Sequence, residues 1–157
     1  MICVIQRVSS CSVVADGEPC ARQGRGLLLL LGVAEGDSEA DADALAKKIA
    51  RIRIFEDEDG KMNKSVTDVG GAITVVSNFT LLGAYKKGNR PDFFAAAKPD
   101  TANALYEYFK GALCAELRDL GDETPVQSGV FVADMKIDAA LDGPVTINMD
   151  SKVLLSK

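Results

Sequence analysis

The segment Ser77-Asn78-Phe79-Thr80 places two hydroxyls and a carboxamide directly after a predicted strand. The chain contains no histidine. That absence removes Ser-His-Asp and Cys-His catalysis, histidine-ligated metals and the usual general base of neutral pH. An enzyme of this composition must use carboxylates, hydroxyls, lysines, backbone dipoles or a group that its substrate supplies.

A second candidate is the Gly143-Pro144 pair within residues 141–146, which we predict to form a turn just before the last strand. Glycine leaves φ free, proline fixes it, and an X-Pro bond is the only peptide bond that readily becomes cis. Such a turn can present bare carbonyls and amides at a rigid angle. On these residues alone, a plain strand-entry turn is the simpler interpretation.

A basic loop supplies the third candidate, with Lys86, Lys87 and Arg90 beside Tyr85 and closed by Pro91. Three cations next to an aromatic residue are the best local candidate for phosphate contact. An exposed polar loop without a partner is the competing interpretation. The net charge of −5 argues against a protein held on nucleic acid by bulk electrostatics, although a local patch can still bind RNA.

The overall composition predicts one soluble domain over residues 1–157, with 47% hydrophobic and 26% charged residues. The longest apolar run covers residues 27–31, far short of the ~20 residues that cross a bilayer. The first residues do not resemble a signal peptide, so we expect a cytoplasmic protein that does not engage a membrane. The four cysteines lack C-x-x-C spacing, which predicts buried, reduced thiols and no metal site.

Hydrophobic periodicity predicts strands interleaved with two long helices, which is an α/β or α+β pattern. The first helix is expected over 39–53 behind Ser38, and the second begins at Asp100-Thr101 and ends at Gly121. The continuous apolar run at 27–33 is typical of a strand covered on both faces. The other predicted strands cover residues 2–8, 12–15, 72–76, 123–128, 130–138 and 145–149.

Taken together, the segments at 77–80, 87–93 and 143–146 resemble the D-aminoacyl-tRNA deacylase family. Residues 5–10, 53–57, 60–63 and 133–135 are similar to it as well, in the family's order. The resemblance implies an α/β domain with a mixed, barrel-like sheet that forms a homodimer. It also implies hydrolysis of the ester between a D-amino acid and the 3′-terminal adenosine of tRNA. The glycyl ester should be hydrolysed as well, because glycine has no side chain that a site selective for D-amino acids could exclude.

The resemblance also implies a role for each motif. Ser77, Asn78, Phe79 and Thr80 correspond to the catalytic segment, and Gly143, Pro144, Val145 and Thr146 to a chiral gate. In the family the Gly-Pro bond is cis and reaches into the partner's site, and an arginine that corresponds to Arg7 braces it. Carbonyls of such a unit would hold the substrate's amino group and leave no space for an L side chain. No cofactor and no metal are implied.

The missing histidine is compatible with this chemistry, because an aminoacyl ester is already activated and the ribose 2′-hydroxyl can help to position water. Backbone N–H groups of Asn78, Phe79 and Thr80 are then candidate donors to the oxyanion. The Thr80 hydroxyl is the alternative, as a nucleophile, but no base is evident to activate it.

Two positions depart from the family pattern. The motif glutamine is Asn78 here, and the usual asparagine two residues before Gly143 is Leu141. A related animal deacylase that removes wrongly attached L-alanine also carries asparagine in this motif. The alternatives are therefore an editing deacylase for small L-amino acids such as L-alanine, a tRNA-binding homologue without catalysis, and a purely structural dimer.

Overall fold

Strand β1 (Ile2–Ala15) pairs antiparallel with three other strands in the computed structural model, which describes residues 1–86 and 88–156. One edge of β1 pairs with β3 (Gly26–Gly32) and then with β2 (Glu18–Gln23), and the other edge pairs with β8 (Met135–Asp150). The prediction of two separate opening strands is wrong. The polar pair Ser9-Ser10 lies at an irregularity in the ladder with β8 and does not end the strand.

The hairpin between β1 and β2 turns at Asp16-Gly17, as the sequence predicts. Both residues have positive φ, 50° and 88°. A two-residue hairpin loop of this kind matches the twist of the flanking strands, which is why Asp-Gly is a strong hairpin signal.

The middle of the sheet is parallel and buried. Strand β3 pairs parallel with β6 (Ala72–Ser77), which pairs parallel with β7 (Val126–Ser128). Leu27, Leu29 and Leu31 point into the main core with the helices, whereas Leu28 packs in a second cluster with Val76. The prediction that this strand is covered on both faces is confirmed, because a continuous apolar run has no face to leave in water.

Side-chain amides nearly close the sheet between β2 and β7. Gln127 accepts a hydrogen bond from the Arg22 N–H and donates one to the Arg22 carbonyl, both at 2.8 Å. Gln23, itself buried, accepts a 2.6 Å hydrogen bond from the Thr74 hydroxyl. The resulting architecture is an α/β domain with a curled, mixed sheet, in agreement with the predicted fold class.

Helices α1 (Glu39–Arg51) and α2 (Pro99–Asp119) cover the outer face of the sheet, and a short helix α3 (Ser151–Leu155) follows β8. The sequence places the start of α2 at Asp100-Thr101, which is wrong by one or two residues. Lys98 is the N-cap and Pro99 is the first helical residue, a position where proline's fixed φ is favourable. Within the described ranges, no helix is long and apolar enough to cross a membrane.

The carboxyl-terminal third differs most from expectation. Residues 130–133 form a turn, not a strand, and one long strand β8 replaces the two predicted beyond residue 130. A separate two-stranded sheet, β4 (Phe55–Glu56) and β5 (Met62–Lys64), lies outside the main one. All four cysteines are free; Cys3 and Cys11 are buried, whereas Cys20 and Cys114 are only half-buried, in contrast to the prediction.

A cluster of charges, buried apart from Lys152, ties the start of α1 to α3. The Met1 ammonium lies 2.8 Å from an Asp37 carboxylate oxygen, and Lys152 lies 2.8 Å from Asp41 Oδ1. Burial alone would raise the pKa of Asp41. Hydrogen bonds from Lys152, Ser151 and Ser38 outweigh that effect and hold the pKa well below its ordinary value. Asp41 therefore stays ionised inside the fold.

Candidate active site

The carboxyl end of β6 turns sharply into a 3₁₀ helix (Phe79–Leu82), and Asn78 makes this turn. The Asn78 N–H donates to the carbonyl of Leu31 on the neighbouring strand at 2.8 Å. The Asn78 side-chain oxygen accepts a hydrogen bond from the Thr80 N–H at 3.2 Å and another from the Thr80 hydroxyl. A short asparagine side chain can cap a turn in this way.

These hydrogen bonds distinguish the three predicted backbone donors. The N–H groups of Asn78 and Thr80 already have partners within the chain. No hydrogen bond between described residues uses the N–H of Phe79, which is the first residue of the 3₁₀ helix. The first N–H groups of a helix have no intrahelical acceptor. Phe79 therefore offers the available donor of this segment.

A cavity of about 760 Å³ opens beside the segment and is lined by Ser77, Asn78 and Phe79. Its volume lies in the range of small-molecule sites. The rest of the wall is mainly aromatic and aliphatic, with Phe93, Phe94, Tyr106, Phe131 and Val132 among its members. Once bound substrate excludes water from an apolar cavity, a backbone donor there makes a stronger hydrogen bond to a developing anion.

Two contacts fix the wall that carries Phe93. The Phe79 and Phe93 rings meet edge to face, with centroids 5.0 Å apart and planes at 74°. The following segment is tied to the loop after β3, because Ala97 N–H donates to the Val33 carbonyl and Glu35 N–H to the Ala95 carbonyl, both at 2.9 Å. Backbone hydrogen bonds thus hold this wall without any regular strand.

Tyr106 on α2 forms part of the cavity wall and also fastens it. Its hydroxyl donates to the Val75 carbonyl at 2.9 Å and lies 3.5 Å from the Gly129 carbonyl. Burial raises the pKa of Tyr106. The phenol therefore stays protonated and links β6 to the segment after β7. No motif in the sequence singles out this residue, which lies one turn before the buried Phe109.

The Gly143–Pro144 peptide bond is cis, as the resemblance implies. The pair is not a turn before the last strand, as predicted, but lies within β8. Gln6 pairs with Thr146 and Val8 with Leu141, so residues 142–145 bulge opposite Arg7 alone. A bulge suits proline, which has no N–H for the ladder.

Arg7 is buried and fills the space beneath this bulge. Its Nη1 donates to the Ile54 carbonyl at 2.8 Å, and its Nε lies 3.1 Å from an Asp142 carboxylate oxygen. A Cβ added to Gly143, whose φ is +123°, would meet Arg7 Nη2 at 3.2 Å and the side chain of Val145 at 2.8 Å. Of the other predicted gate residues, Val145 is buried, whereas Thr146 is exposed and donates to Gln6 Oε1 at 3.3 Å.

The two predicted motifs lie apart within one chain. Ser77 pairs with Leu31, which pairs with Cys3, whereas the Gly-Pro bulge faces Arg7. These two positions on β1 are four residues apart, about 13 Å at the rise of a strand. Ser77 is also two strands away from β1, and the cavity is lined by neither Gly143 nor Pro144.

The predicted basic loop stands outside the cavity. Lys86 and Arg90 are exposed, and Lys87 lies outside the residues that the structure describes. Paired backbone hydrogen bonds between Ala84 and Asp92 close the loop just before Phe93. Among the described residues, the cation that lines the cavity is Lys98, which no motif in the sequence had singled out.

A family model described as D-Tyr-tRNA(Tyr) deacylase matches residues 4–150. The chain belongs to this family. A D-aminoacyl-tRNA deacylase of Anaeromyxobacter dehalogenans is 54% identical over 154 residues, which cover 98% of this chain and 99% of that protein. The D-aminoacyl-tRNA deacylase of Ruegeria pomeroyi is 52% identical over 96% of this chain and 99% of its own. The predicted membership of the deacylase family is confirmed.

Two solved structures share the fold of this chain. A c-Myc DNA unwinding element binding protein superposes with a TM-score of 0.86 at 38% identity, covering 96% of this chain and 98% of that one. A probable eukaryotic D-amino acid tRNA deacylase superposes with a TM-score of 0.77 at 18% identity, covering 95% and 98%. At that identity the second similarity supports the fold alone.

Proposed function

We propose that this chain hydrolyses the ester bond of D-aminoacyl-tRNA, and of glycyl-tRNA, with the Phe79 N–H as its oxyanion donor. The observation that carries the proposal is this N–H, which has no partner among the described residues and belongs to a residue of an apolar cavity wall. The curated relatives support the substrate class, because they match this chain over nearly their whole length and are named D-aminoacyl-tRNA deacylases.

The donor stabilises the negative charge that develops on the carbonyl oxygen when water attacks the ester. A pre-organised donor in such a site is worth roughly 3 to 4 kcal/mol in the transition state. The aminoacyl ester is already activated, the 3′-oxygen of the terminal adenosine is the leaving group, and the neighbouring ribose 2′-hydroxyl helps to place the water. A chain without histidine can therefore perform this reaction without a general base of its own.

The Thr80 hydroxyl is not the nucleophile in this mechanism. Its proton is donated to the Asn78 side-chain oxygen. A carboxamide oxygen accepts a hydrogen bond but does not remove a proton at neutral pH, so it cannot activate the hydroxyl. The same contact makes Asn78 a brace of the loop, which gives no reason to prefer L-alanine as the substrate.

The complete site requires a second copy of the chain. Gly143 and Pro144 lie far from the cavity of their own chain, but they belong to an exposed part of β8. Apolar side chains stand in solvent near the cavity, with Phe94 91% and Phe79 57% exposed, and Leu141 on β8 is 51% exposed. Exposed apolar surface of this kind is typical of a protein interface. In a symmetric homodimer each Gly-Pro bulge would cover the partner's cavity.

The selection of D-amino acids would then follow from steric exclusion of the L side chain. Backbone carbonyls of the partner's bulge hold the substrate's ammonium group, and the wall leaves space for a hydrogen atom where an L side chain would project. Lys86 and Arg90, both exposed, contact phosphates of the tRNA outside the cavity.

The experiment that tests the function is deacylation of matched D- and L-aminoacyl-tRNA by the purified protein. We expect hydrolysis of D-Tyr-tRNA and Gly-tRNA, and at least about 100-fold slower hydrolysis of L-Tyr-tRNA, because the wrong enantiomer meets a steric wall. Hydrolysis of L-Ala-tRNA in preference to D-Ala-tRNA, or no hydrolysis of any ester, would refute the proposal.

A further inference from the structure

Val132 has a backbone conformation that valine rarely adopts. It is the third residue of the turn at 130–133, which a 3.3 Å hydrogen bond from the Ala133 N–H to the Val130 carbonyl closes. Its φ is +67°. Turns with positive φ at the third residue usually carry glycine there, and a β-branched residue in this region is a true outlier.

Packing does not explain the choice of valine. The side chain is 79% exposed, so it gains little from burial in the chain. Yet it lines the apolar cavity beside Phe131 and Ala133. Backbone strain of this kind persists where the surroundings dictate it, and it concentrates at binding sites.

The surroundings of the turn hold Val132 in place from both sides. Before it, Gly129 N–H donates to the Val75 carbonyl at 2.9 Å, and the Phe131 ring packs 5.9 Å from the Tyr106 ring. After it, Asp134 N–H donates to Asp16 Oδ1 at 3.0 Å. The Val132 side chain is thus kept at the cavity wall by contacts that do not involve it.

We propose that Val132 is a specificity-determining residue whose branched side chain limits the size of the aromatic ring that enters the cavity. The inference rests on the proposed function for the identity of that ring. It belongs either to the 3′-terminal adenine or to an aromatic D-amino acid, since both present a flat apolar surface. An aromatic and aliphatic wall binds such a ring, and small changes in wall volume alter selection between ligands.

Two substitutions separate side-chain volume from backbone strain. Val132→Gly removes both, whereas Val132→Ala removes two methyl groups and keeps the unfavourable φ. Val130→Ala is the matched control, because Val130 lies in the same turn, is exposed and does not line the cavity. For each variant we would measure kcat/KM for D-Tyr and D-Ala on one tRNA, and the Kd of free adenosine by calorimetry.

The two quantities to compare are the ratio of kcat/KM for D-Tyr to that for D-Ala and the Kd of adenosine. We expect one of them to change in both Val132 variants and neither to change in Val130→Ala. A rise of about 10-fold in the D-Tyr to D-Ala ratio would support the inference with the amino-acid side chain as the ring. A gain of about 10-fold in adenosine affinity at a constant ratio would support it with adenine as the ring. If both quantities stay within about twofold while Val132→Gly merely raises Tm, valine does not set specificity and the inference is overturned.

The adenosine titration keeps this test separate from the proposed function. If the wild-type protein deacylates no D-aminoacyl-tRNA, the proposed function fails. A lower adenosine Kd in the Val132 variants would still support Val132 as a limit on ring size, and an unchanged or higher Kd would overturn it.

Discussion

The side-chain oxygen of Asn78 accepts hydrogen bonds from both the backbone N–H and the hydroxyl of Thr80. One carboxamide therefore shapes the turn that leaves the neighbouring Phe79 N–H without a partner among the described residues. The departure from glutamine at this position has a local structural explanation.

Replacing Asn78 tests this bracing role. Asn78→Asp keeps an acceptor at the same position and should preserve stability, but its carboxylate beside the developing oxyanion should slow hydrolysis of the D and L esters alike. Asn78→Ala removes the cap and should lower the free energy of unfolding by about 1 kcal/mol. Because Asn78 braces the loop, the ratio of D-Tyr to L-Tyr deacylation should be unchanged in both variants. A shift of that ratio toward the L ester in Asn78→Asp would mean that this side chain contacts the amino acid.

The Phe79 N–H can be removed without a change of charge. Phe79→Pro eliminates the donor, and proline is well tolerated at the first position of a helix. We expect kcat to fall by about 100-fold to 1,000-fold relative to Phe79→Ala, which keeps the N–H and loses only the ring. Single-turnover deacylation of D-Tyr-tRNA measures both. Equal activity of the two variants would rule out this N–H as the oxyanion donor.

Lys98 should contribute through phosphate contact. It is exposed and lines the cavity, so Lys98→Glu should raise KM for D-Tyr-tRNA and reduce the salt dependence of binding by about one phosphate contact. D-tyrosyl-adenosine, which lacks phosphates, should be hydrolysed at an unchanged rate. Lys48→Glu on α1 is a control of equal charge change away from the cavity. If Lys98→Glu slows both substrates equally, Lys98 does not bind a phosphate.

The lowered pKa of Asp41 predicts how the free energy of unfolding depends on pH. Because its folded pKa lies below its unfolded value of about 4, its contribution is present above that pH and is lost as the pH falls. Asp41→Asn should lower the free energy of unfolding at pH 7 by about 2 kcal/mol, since the exposed Lys152 retains water as a partner. Urea unfolding should show this difference shrink toward pH 3. Asp43→Asn, on the same helix, should show little effect, and a difference that is constant with pH would contradict the assignment.

Much of the fold follows from local patterns in the sequence. The apolar run at 27–33 and the Asp16-Gly17 turn are local signals, and the structure bears both out. The boundaries in the last third depend on tertiary pairing. The sequence pattern predicts separate strands on either side of Gly143-Pro144. In the structure β1 is long enough to pair with both parts of residues 135–150, and a bulge accommodates the proline.

The site could be predicted only as a set of motifs. Ser77 to Thr80 follows a clear strand, so its place at a strand end is readable from the residues. Which amide lacks a partner depends on Leu31, 47 positions before Asn78, and on the Asn78 side-chain rotamer. Tyr106, Val132 and Lys98 join the cavity only through packing. No spacing in the sequence indicates that contact.

The separation of the Gly-Pro bulge from the cavity gives the sharpest test. A subunit with Phe79→Pro lacks the oxyanion donor of its own cavity but keeps an intact Gly-Pro bulge. Gly143→Ala keeps the cavity and displaces the bulge, because its Cβ would meet Val145 N at 2.9 Å at a φ of +123°. In a mixed dimer one of the two sites combines an intact cavity with an intact bulge, whereas each variant alone has none.

The decisive measurement is D-Tyr-tRNA deacylation by the two variants refolded together at equal concentration, with mass spectrometry to count mixed dimers. A site shared between copies predicts about a quarter of wild-type activity in the mixture and almost none in either variant alone. No recovery in the presence of mixed dimers would contradict the shared site.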